Sequence, residues 1–322
     1  MIYTEILGIG AYAPKAVMTN FDLEKLVETS DEWIQSRTGI ANRHVSEGEN
    51  TSDLALKAAI AALKDASMEA EDLDMILLAT TSPDHLSPST AGLVQKKIGA
   101  KNAVAMDISA GCTGFVYGLD LAKNLIASGS YQKILVIGAE VLSKHLDWTD
   151  RNTCILFGDG AGAAVVAKSE RNGLQDTKIY TDGDLNDLIV IPTIPVKNPM
   201  GETKADYEAL SMKGQDVFKF ATKVVAKSLK EMMKKHDLTN DDIRWVVPHQ
   251  ANKRIFDFAA SKLKMDPEKF YLNLNEYGNT SAASIPLALS EMNQKGLLAK
   301  GDKILLVGFG AGLTWGTALI QW

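Results

Sequence analysis

Short apolar runs alternate along this chain with longer stretches in which apolar positions return every third or fourth residue. The runs MILLAT (75–80), KILVIGA (133–139), GAAVVA (162–167), WVVPH (245–249) and KILLVGFG (303–310) predict strands, and their near-continuous apolar character predicts sheets buried on both faces. TSDLALKAAIAALKDA (51–66), GFVYGLDLAKNLIASG (114–129) and GQDVFKFATKVVAKSLKEMMKKH (214–236) carry helical spacing. This alternation predicts an α/β fold. GIGAYAP (8–14) partly matches a dinucleotide fingerprint, but Pro14 follows and no helical pattern opens, so it reads as a turn. FGDGAGAAVV (157–166) runs into a strand rather than a helix, which argues against a phosphate cradle.

The pattern also repeats. EDLDMILLAT (71–80) aligns with DDIRWVVPHQ (241–250), and KILVIG (133–138) with KILLVG (303–308), both at a shift of 170 residues. AGCTG sets Cys112 opposite Asn279 of YGNTS at a shift of 167, which predicts equivalent positions for the two. Duplication divides the chain into halves 1–171 and 172–322, with the loop-rich stretch 172–203 between them.

A length of 322 residues with 46% hydrophobic and 23% charged positions fits a globular body with a sizeable core. The net charge of −6 gives no basic footprint for nucleic acid, and an acidic protein partner would need a local basic patch. Two cysteines, Cys112 and Cys154, imply no disulfide framework and fit a reducing, cytoplasmic setting. The start, MIYTEILGIGAYAP, has no basic leader, and no stretch is long enough to cross a bilayer. No spacing of His, Cys or carboxylates predicts a metal site.

Cys112 stands in a tight AGC turn immediately before a helical pattern in which Phe115, Leu119, Ala122 and Ile126 recur. Free N–H groups and the positive end of a helix favour a thiolate, so the position predicts a nucleophile rather than a small core residue. Cys154, inside the apolar run CILF, reads as core. His249 ends a strand pattern and opens the polar HQAN, at the strand edge where open α/β sheets place ligands. His44, His85, His145 and His236 lie in loop-like or polar surroundings and carry weaker signals. Asn279 follows Gly278 and precedes small residues entering a helix, which also suits a helix cap. Cys, His and Asn permit two chemistries. They could form a peptidase-like triad, or His and Asn could donate hydrogen bonds to a carbonyl oxygen as it becomes an enolate. The local peptidase signature is missing, and the duplication has no place in that reading.

DEWIQSRTGIANR (31–43), AGCTGF (110–115), FGDGAGA (157–163), VPHQAN (247–252), YGNTSAAS (277–284) and FGAGLTWG (309–316) together resemble β-ketoacyl-acyl-carrier-protein synthase III, in the right order over nearly the whole chain. The resemblance implies a thiolase fold of duplicated halves in five α-β-α-β-α layers, a homodimer, and no cofactor, acyl-CoA being a substrate. It implies that Cys112 carries the acyl primer while His249 and Asn279 hold the thioester carbonyl of malonyl-acyl carrier protein as CO₂ leaves. The backbone N–H groups of Cys112 and Ala311 would form the oxyanion hole for acyl transfer. Many members have glycine at the Ala311 position. Trp33 and Arg151 would flank the CoA adenine, Arg37 would meet phosphate, and Asn252 the pantetheine arm. Without the resemblance these read as surface residues. Lys213, Lys253 and Arg254 would face the acidic carrier protein. A second stripe, Lys219, Lys223, Lys227 and Lys230, reads as a solvated helix face. Ser87, Leu142, Phe157 and Ile189 match acyl-pocket positions. Many members carry phenylalanine at 87, delivered into the partner's pocket, so serine implies a roomier site for longer or branched primers. The alternatives are a related condensing enzyme making a polyketide or quinolone precursor, a Cys-His-Asn hydrolase, and a non-catalytic subunit.

Overall fold

The computed structural model describes residues 2–204 and 208–322. Two mixed sheets dominate it. The first contains β1 (Tyr3–Tyr12), β2 (Met75–Ala79), β3 (Val104–Ile108), β4 (Lys133–Glu140) and β5 (Gly160–Ser169) in the order β1-β5-β4-β2-β3. The second contains β6 (Leu174–Thr181), β7 (Trp245–Pro248), β8 (Lys303–Gly310) and β9 (Thr314–Gln321) in the order β7-β8-β9-β6. In both, the Gly-flanked antiparallel pair (β4–β5, β8–β9) joins a parallel neighbour (β2, β7). The second sheet is thus a copy of the first without a full β3, whose place is marked by the isolated bridge Val246–Phe270.

The helices that matter are α1 (Asp31–Thr38), α2 (Thr51–Asp65), α3 (Thr90–Ile98), α4 (Gly114–Ala127), α5 (Gly214–Lys235), α6 (Lys253–Leu263) and α7 (Ser284–Gln294). Alternate residues of each strand enter different cores, as a two-residue side-chain period requires. Met75, Leu77, Ile134, Val136, Ile304 and Leu306 pack on α4 and α7 between the sheets. Ile76, Leu78, Leu135 and Ile137 pack outward on α2 and α3. Leu305 and Val307 pack outward on α5 and α6. The result is five layers, with α4 and α7 in the middle. No described helix is long and apolar enough to cross a membrane.

Three expectations are corrected. GIGAYAP is no turn: residues 8–12 belong to β1, paired along β5. Its glycines serve packing, since a Cβ at Gly8 would meet Ala66 N at 2.3 Å and one at Gly10 would meet Ala62 N at 2.2 Å. The stretch 172–203 is not simply a connection, because β6, the outer strand of the second sheet, occupies its beginning. The shift of 170 persists through the turns that carry Cys112 and Asn279. The short 3-10 turn Gly111–Thr113 corresponds to Ser281–Ala283, and the start of α4 at Gly114 to the start of α7 at Ser284. Cys112 is therefore equivalent to Ala282, and Asn279 lies three residues earlier, where the first half has Ser109.

Candidate active site

The two central helices start side by side, and the turns before them build the site. Gly111 has φ 54, and a Cβ there would stand 2.7 Å from Ala311 N. A Cβ on Gly310 would stand 2.5 Å from Cys112 N. The main chains of residues 111–112 and 310–311 thus interlock at contact distance. Thr314 Oγ1 sits between them, 2.9 Å from the Ala110 carbonyl oxygen, 3.0 Å from that of Ala311 and 3.0 Å from Thr113 Oγ1. The sharp turn is taken by Gly312 at φ 135, which leaves Ala311 outside the left-handed region, so alanine fits there.

His249 directly follows β7, and its N–H donates to the Val307 carbonyl at 2.8 Å. The ring is buried, edge-on to Phe309 with centroids 5.3 Å apart, and Nδ1 lies 2.7 Å from Ser284 Oγ on the first turn of α7. The same hydroxyl accepts from Gln250 N–H at 3.3 Å. Burial pushes the imidazole down to about 3, against a smaller opposing effect of the Ser281 main chain, so the ring is neutral. Asn279 is held by its main chain against Leu156 and Gly158, and its Oδ1 accepts from Ser281 N–H at 2.9 Å. That leaves the amide NH₂ as its free donor end.

Cys112, His249 and Asn279 line one narrow cavity of ≈ 90 Å³, with Phe157, Ile189, Phe218 and Phe309 among its walls. The expected thiolate is corrected. Cys112 lies two residues ahead of α4, within the 3-10 turn, and the enclosing walls dominate: burial pushes the thiol up to about 12, with the Ser281 side chain opposing and the Glu140 charge adding to it. Desolvation thus opposes the helix start and makes the sulfur hold its proton more firmly than a free thiol. Cys154 is fully buried among Leu23, Ile34 and Ile40, apart from the cavity. None of His44, His85, His145 and His236 lines it either.

The cavity opens through Leu156, Met212, Gly214, Phe218 and Asn252 into a surface cleft of ≈ 680 Å³ that also touches Trp33, Arg37 and Arg254. Ser30 caps α1 through Trp33 N–H at 3.1 Å and Gly39 ends it at φ 84, which fixes Trp33 and Arg37 on one short helix. The Arg151 guanidinium lies over the Trp33 ring, 5.2 Å from its centroid. Asn252 caps α6 through Arg254 N–H at 3.0 Å and donates to the Arg37 carbonyl at 3.0 Å. Lys253 pairs with Asp257 at 2.8 Å, and Lys213 pairs with Asp187. In the second basic stripe, Lys219 pairs with Asp216 at 3.1 Å and Lys227 with Glu231 at 3.8 Å, as on a solvated helix face.

Of the expected pocket residues, Phe157 and Ile189 line the cavity. Leu142 is placed differently: it is buried behind Phe157 with Leu146 and Leu210 and backs the wall. Ser87 lies on the exposed tip of the 80–90 loop and does not line this chain's own cavity. Sequence reasoning missed Ser281, Ser284, Thr314 and Glu140. Only the polar end of the apolar run KILVIGAE hinted at the last.

Residues 106–183 match the family 3-oxoacyl-[acyl-carrier-protein (ACP)] synthase III, and residues 233–322 match 3-oxoacyl-[acyl-carrier-protein (ACP)] synthase III C terminal. The β-ketoacyl-[acyl-carrier-protein] synthase III of Clostridium acetobutylicum is 51% identical over 319 residues, covering 99% of this chain and 98% of that protein. The crystal structure of 3-oxoacyl-[acyl-carrier-protein] synthase III from Aquifex aeolicus superposes with a TM-score of 0.92 at 45% identity, covering 99% of this chain and 100% of that one. The priming β-ketosynthase of the R1128 polyketide pathway superposes with a TM-score of 0.91 at 30% identity, covering 99% and 96%.

Proposed function

Because the chain belongs to the 3-oxoacyl-[acyl-carrier-protein] synthase III family, with the thiolase fold of its relatives, we propose that Cys112, His249 and Asn279 perform the two half-reactions of its initiating condensation. The enzyme joins an acyl primer to malonyl-acyl carrier protein and so begins fatty acid synthesis. In the reading proposed here the primer arrives as acyl-CoA and the enzyme acts as an acyltransferase, with Cys112 as the acceptor. The observation that carries this is the convergence of the three side chains on one narrow cavity that opens into the cleft holding Trp33, Arg37 and Asn252.

Cys112 attacks the thioester of acyl-CoA, whose oxyanion meets the N–H groups of Cys112 and Ala311, and CoA leaves. Malonyl-acyl carrier protein then takes the CoA path. Ser284, already accepting from Gln250 N–H, donates its O–H as a hydrogen bond to His249 Nδ1, which leaves the ring N–H on Nε2. Nε2–H and the Asn279 NH₂ hold the thioester oxygen as the carboxylate departs as CO₂, and the carbanion attacks acyl-Cys112. A neutral imidazole suits this work, because it donates a hydrogen bond without carrying a charge into the cavity. Arg151 and Trp33 stack on adenine, Arg37 takes phosphate, and Asn252 the pantetheine arm. Lys213, Lys253 and Arg254 meet the carrier protein.

The enzyme works as a homodimer in the cytoplasm. The open edge of β3, with exposed Val104 and Met106, and the exposed Leu86 beside Ser87 favour a second copy there. The test is product analysis with acyl-CoA and malonyl-acyl carrier protein. 3-Oxoacyl-acyl carrier protein and CO₂ in equal amounts are expected. Free acid without CO₂ would make the protein a hydrolase, and a preference for malonyl-CoA as extender would place it with polyketide-type synthases.

A further inference from the structure

The N–H groups of Cys112 and Ala311 come from opposite halves of the chain, and each follows a glycine, Gly111 and Gly310. Glycine lets the next peptide plane swing over a wide range of angles, so the local sequence does not fix where either N–H points. Neither glycine has room for a side chain that would restrict it. A Cβ would stand 2.7 Å from Ala311 N at Gly111 and 2.5 Å from Cys112 N at Gly310. The restriction has to come from elsewhere.

Thr314 supplies it. This residue opens β9, where its main chain pairs with Gly310 of β8 on one side and Thr181 of β6 on the other. Its side chain is therefore mounted on the sheet and not on the turns it reaches. The hydroxyl lies 2.9 Å from the Ala110 carbonyl oxygen, one peptide before the Cys112 N–H. It lies 3.0 Å from the Ala311 carbonyl oxygen, one peptide after the Ala311 N–H. One hydroxyl proton thus stands between two carbonyl acceptors, and the Thr113 hydroxyl, 3.0 Å away, is placed to donate to the Thr314 oxygen in turn. The Ala110 carbonyl also accepts from Thr113 N–H at 3.2 Å, which closes the turn carrying Cys112. Ala110, Thr113 and Thr314 are all buried, so a hydroxyl lost here leaves carbonyls short of a donor.

We propose that Thr314 is a positioning residue for acyl transfer, its hydroxyl clamping the two turns so that the N–H groups of Cys112 and Ala311 converge on one oxyanion. This rests on the condensation reading above and deepens it. Thr314 does not line the cavity and acts only through the turns it joins. Donors fixed in advance stabilise a developing oxyanion without reorganising at the moment of reaction, which is the advantage the clamp secures. The same two donors serve both half-reactions, because the thioester of acyl-CoA and later that of acyl-Cys112 place their oxygen between them.

The test mixes wild type, Thr314→Val and Thr314→Ser with acyl-CoA isotope-labelled at the carbonyl carbon. Mass spectrometry follows a single acylation of Cys112 over a range of acyl-CoA concentrations, and infrared difference spectra report the carbonyl of the acyl-enzyme. Thr314→Val should lower the maximal acylation rate about 10²-fold, as for donors misplaced by a fraction of their reach. The half-saturating concentration should stay unchanged, because Thr314 lies outside the cleft that holds Trp33, Arg37 and Asn252. The acyl carbonyl band should move to higher frequency as the hydrogen bonds to its oxygen weaken. Thr314→Ser keeps the hydroxyl and should restore both rate and band. Should Thr314→Val fail to fold, Thr314→Ala, which leaves a gap instead of a methyl group against the carbonyls, takes its place. Failure of both to fold would show that the hydroxyl holds the fold rather than the donors, and would overturn the proposal. A rate or a band left at its wild-type value, or a Thr314→Ser no better than Thr314→Val, would overturn it as well. A wild type in which Cys112 takes no acyl group at all would overturn the condensation reading instead.

Discussion

Two cysteines in one chain allow the nucleophile to be separated from its background. Cys112 faces the cavity, whereas Cys154 is sealed in the core beside α1. After treatment with acyl-CoA, peptide mapping is expected to find the acyl group on Cys112 and none on Cys154. Label on Cys154 alone would refute the assignment. In the proposed mechanism His249 and Asn279 act at a different carbonyl from the one Cys112 attacks. His249→Ala and Asn279→Ala should therefore keep much of the acylation but lose decarboxylation of malonyl-acyl carrier protein. Removing one such donor costs about 2.7–4 kcal/mol, or 10²–10³ in kcat. Rapid-quench measurement of the separate half-reactions checks this. If His249→Ala abolished acylation equally, the imidazole would be the cysteine's base. The residue types and their neighbours made Cys112, His249 and Asn279 legible in sequence. The state of the thiol was not, because a helix start argues for a thiolate and only the enclosing walls show that desolvation prevails.

At the scale of elements, the periodic patterns located α2, α4 and α5 and the strands β2, β4, β5, β7 and β8, since both follow from side-chain burial on fixed repeats. β1 escaped because its glycines look like turn residues. They are there to let the strand approach the backbone of α2, a contact 56 residues away at Ile9 N and Asp65 Oδ2, 2.9 Å. Gly10→Ala puts a Cβ 2.2 Å from Ala62 N, which only a shift of strand or helix relieves. A loss of about 1–3 kcal/mol or more is expected, as for other overpacked sites. Denaturant unfolding measures it, and an unchanged midpoint would show that the β1–α2 contact yields easily. The duplication was legible for the same reason as the strands, but its register at the site was not. By letters 167 is the better match, with Gly111 on Gly278 and Thr113 on Thr280, yet the helix starts decide for 170.

For the whole molecule, buried ionisable groups define a pH window of stability. The folded imidazole of His249 titrates at about 3 against an ordinary 6.5, so protons favour the unfolded chain; its share of stability is complete above 6.5 and is lost as the pH falls toward 3. The Cys112 thiol titrates at about 12 against an ordinary 9.0, so its share is complete below 9.0 and is lost as the pH rises toward 12. The His249 share is read from the difference in Tm between wild type and His249→Gln, which should change in favour of the variant as the pH falls below 6.5; a difference that does not depend on pH would contradict the burial of His249. The proposed dimer bears on primer choice. On the resemblance, residue 87 enters the pocket of the partner in that dimer, and serine there in place of an aromatic ring would leave room worth roughly 0.8 kcal/mol per additional buried CH₂. Acceptance of primers longer or more branched than acetyl is expected, narrowed by Ser87→Phe. Comparing kcat/KM for acetyl-, isobutyryl- and octanoyl-CoA checks it, and an acetyl preference that the substitution leaves unchanged would show that neighbouring side chains fill the space.

Local rules act over a few residues, and what they govern was determined by the sequence alone: the three longest helices and five of the strands from burial periodicity, two halves from the repeated pattern, and three candidate side chains, Cys112, His249 and Asn279, from residue types set in turns. Tertiary structure decided whatever depends on distance between segments far apart in the chain. It brought Gly310 against Cys112, Ser284 against His249, and the Ser281 N–H onto the Asn279 side chain. It also set the charge states, because a thiol or an imidazole titrates according to the walls around it, and those walls come from both halves of the chain.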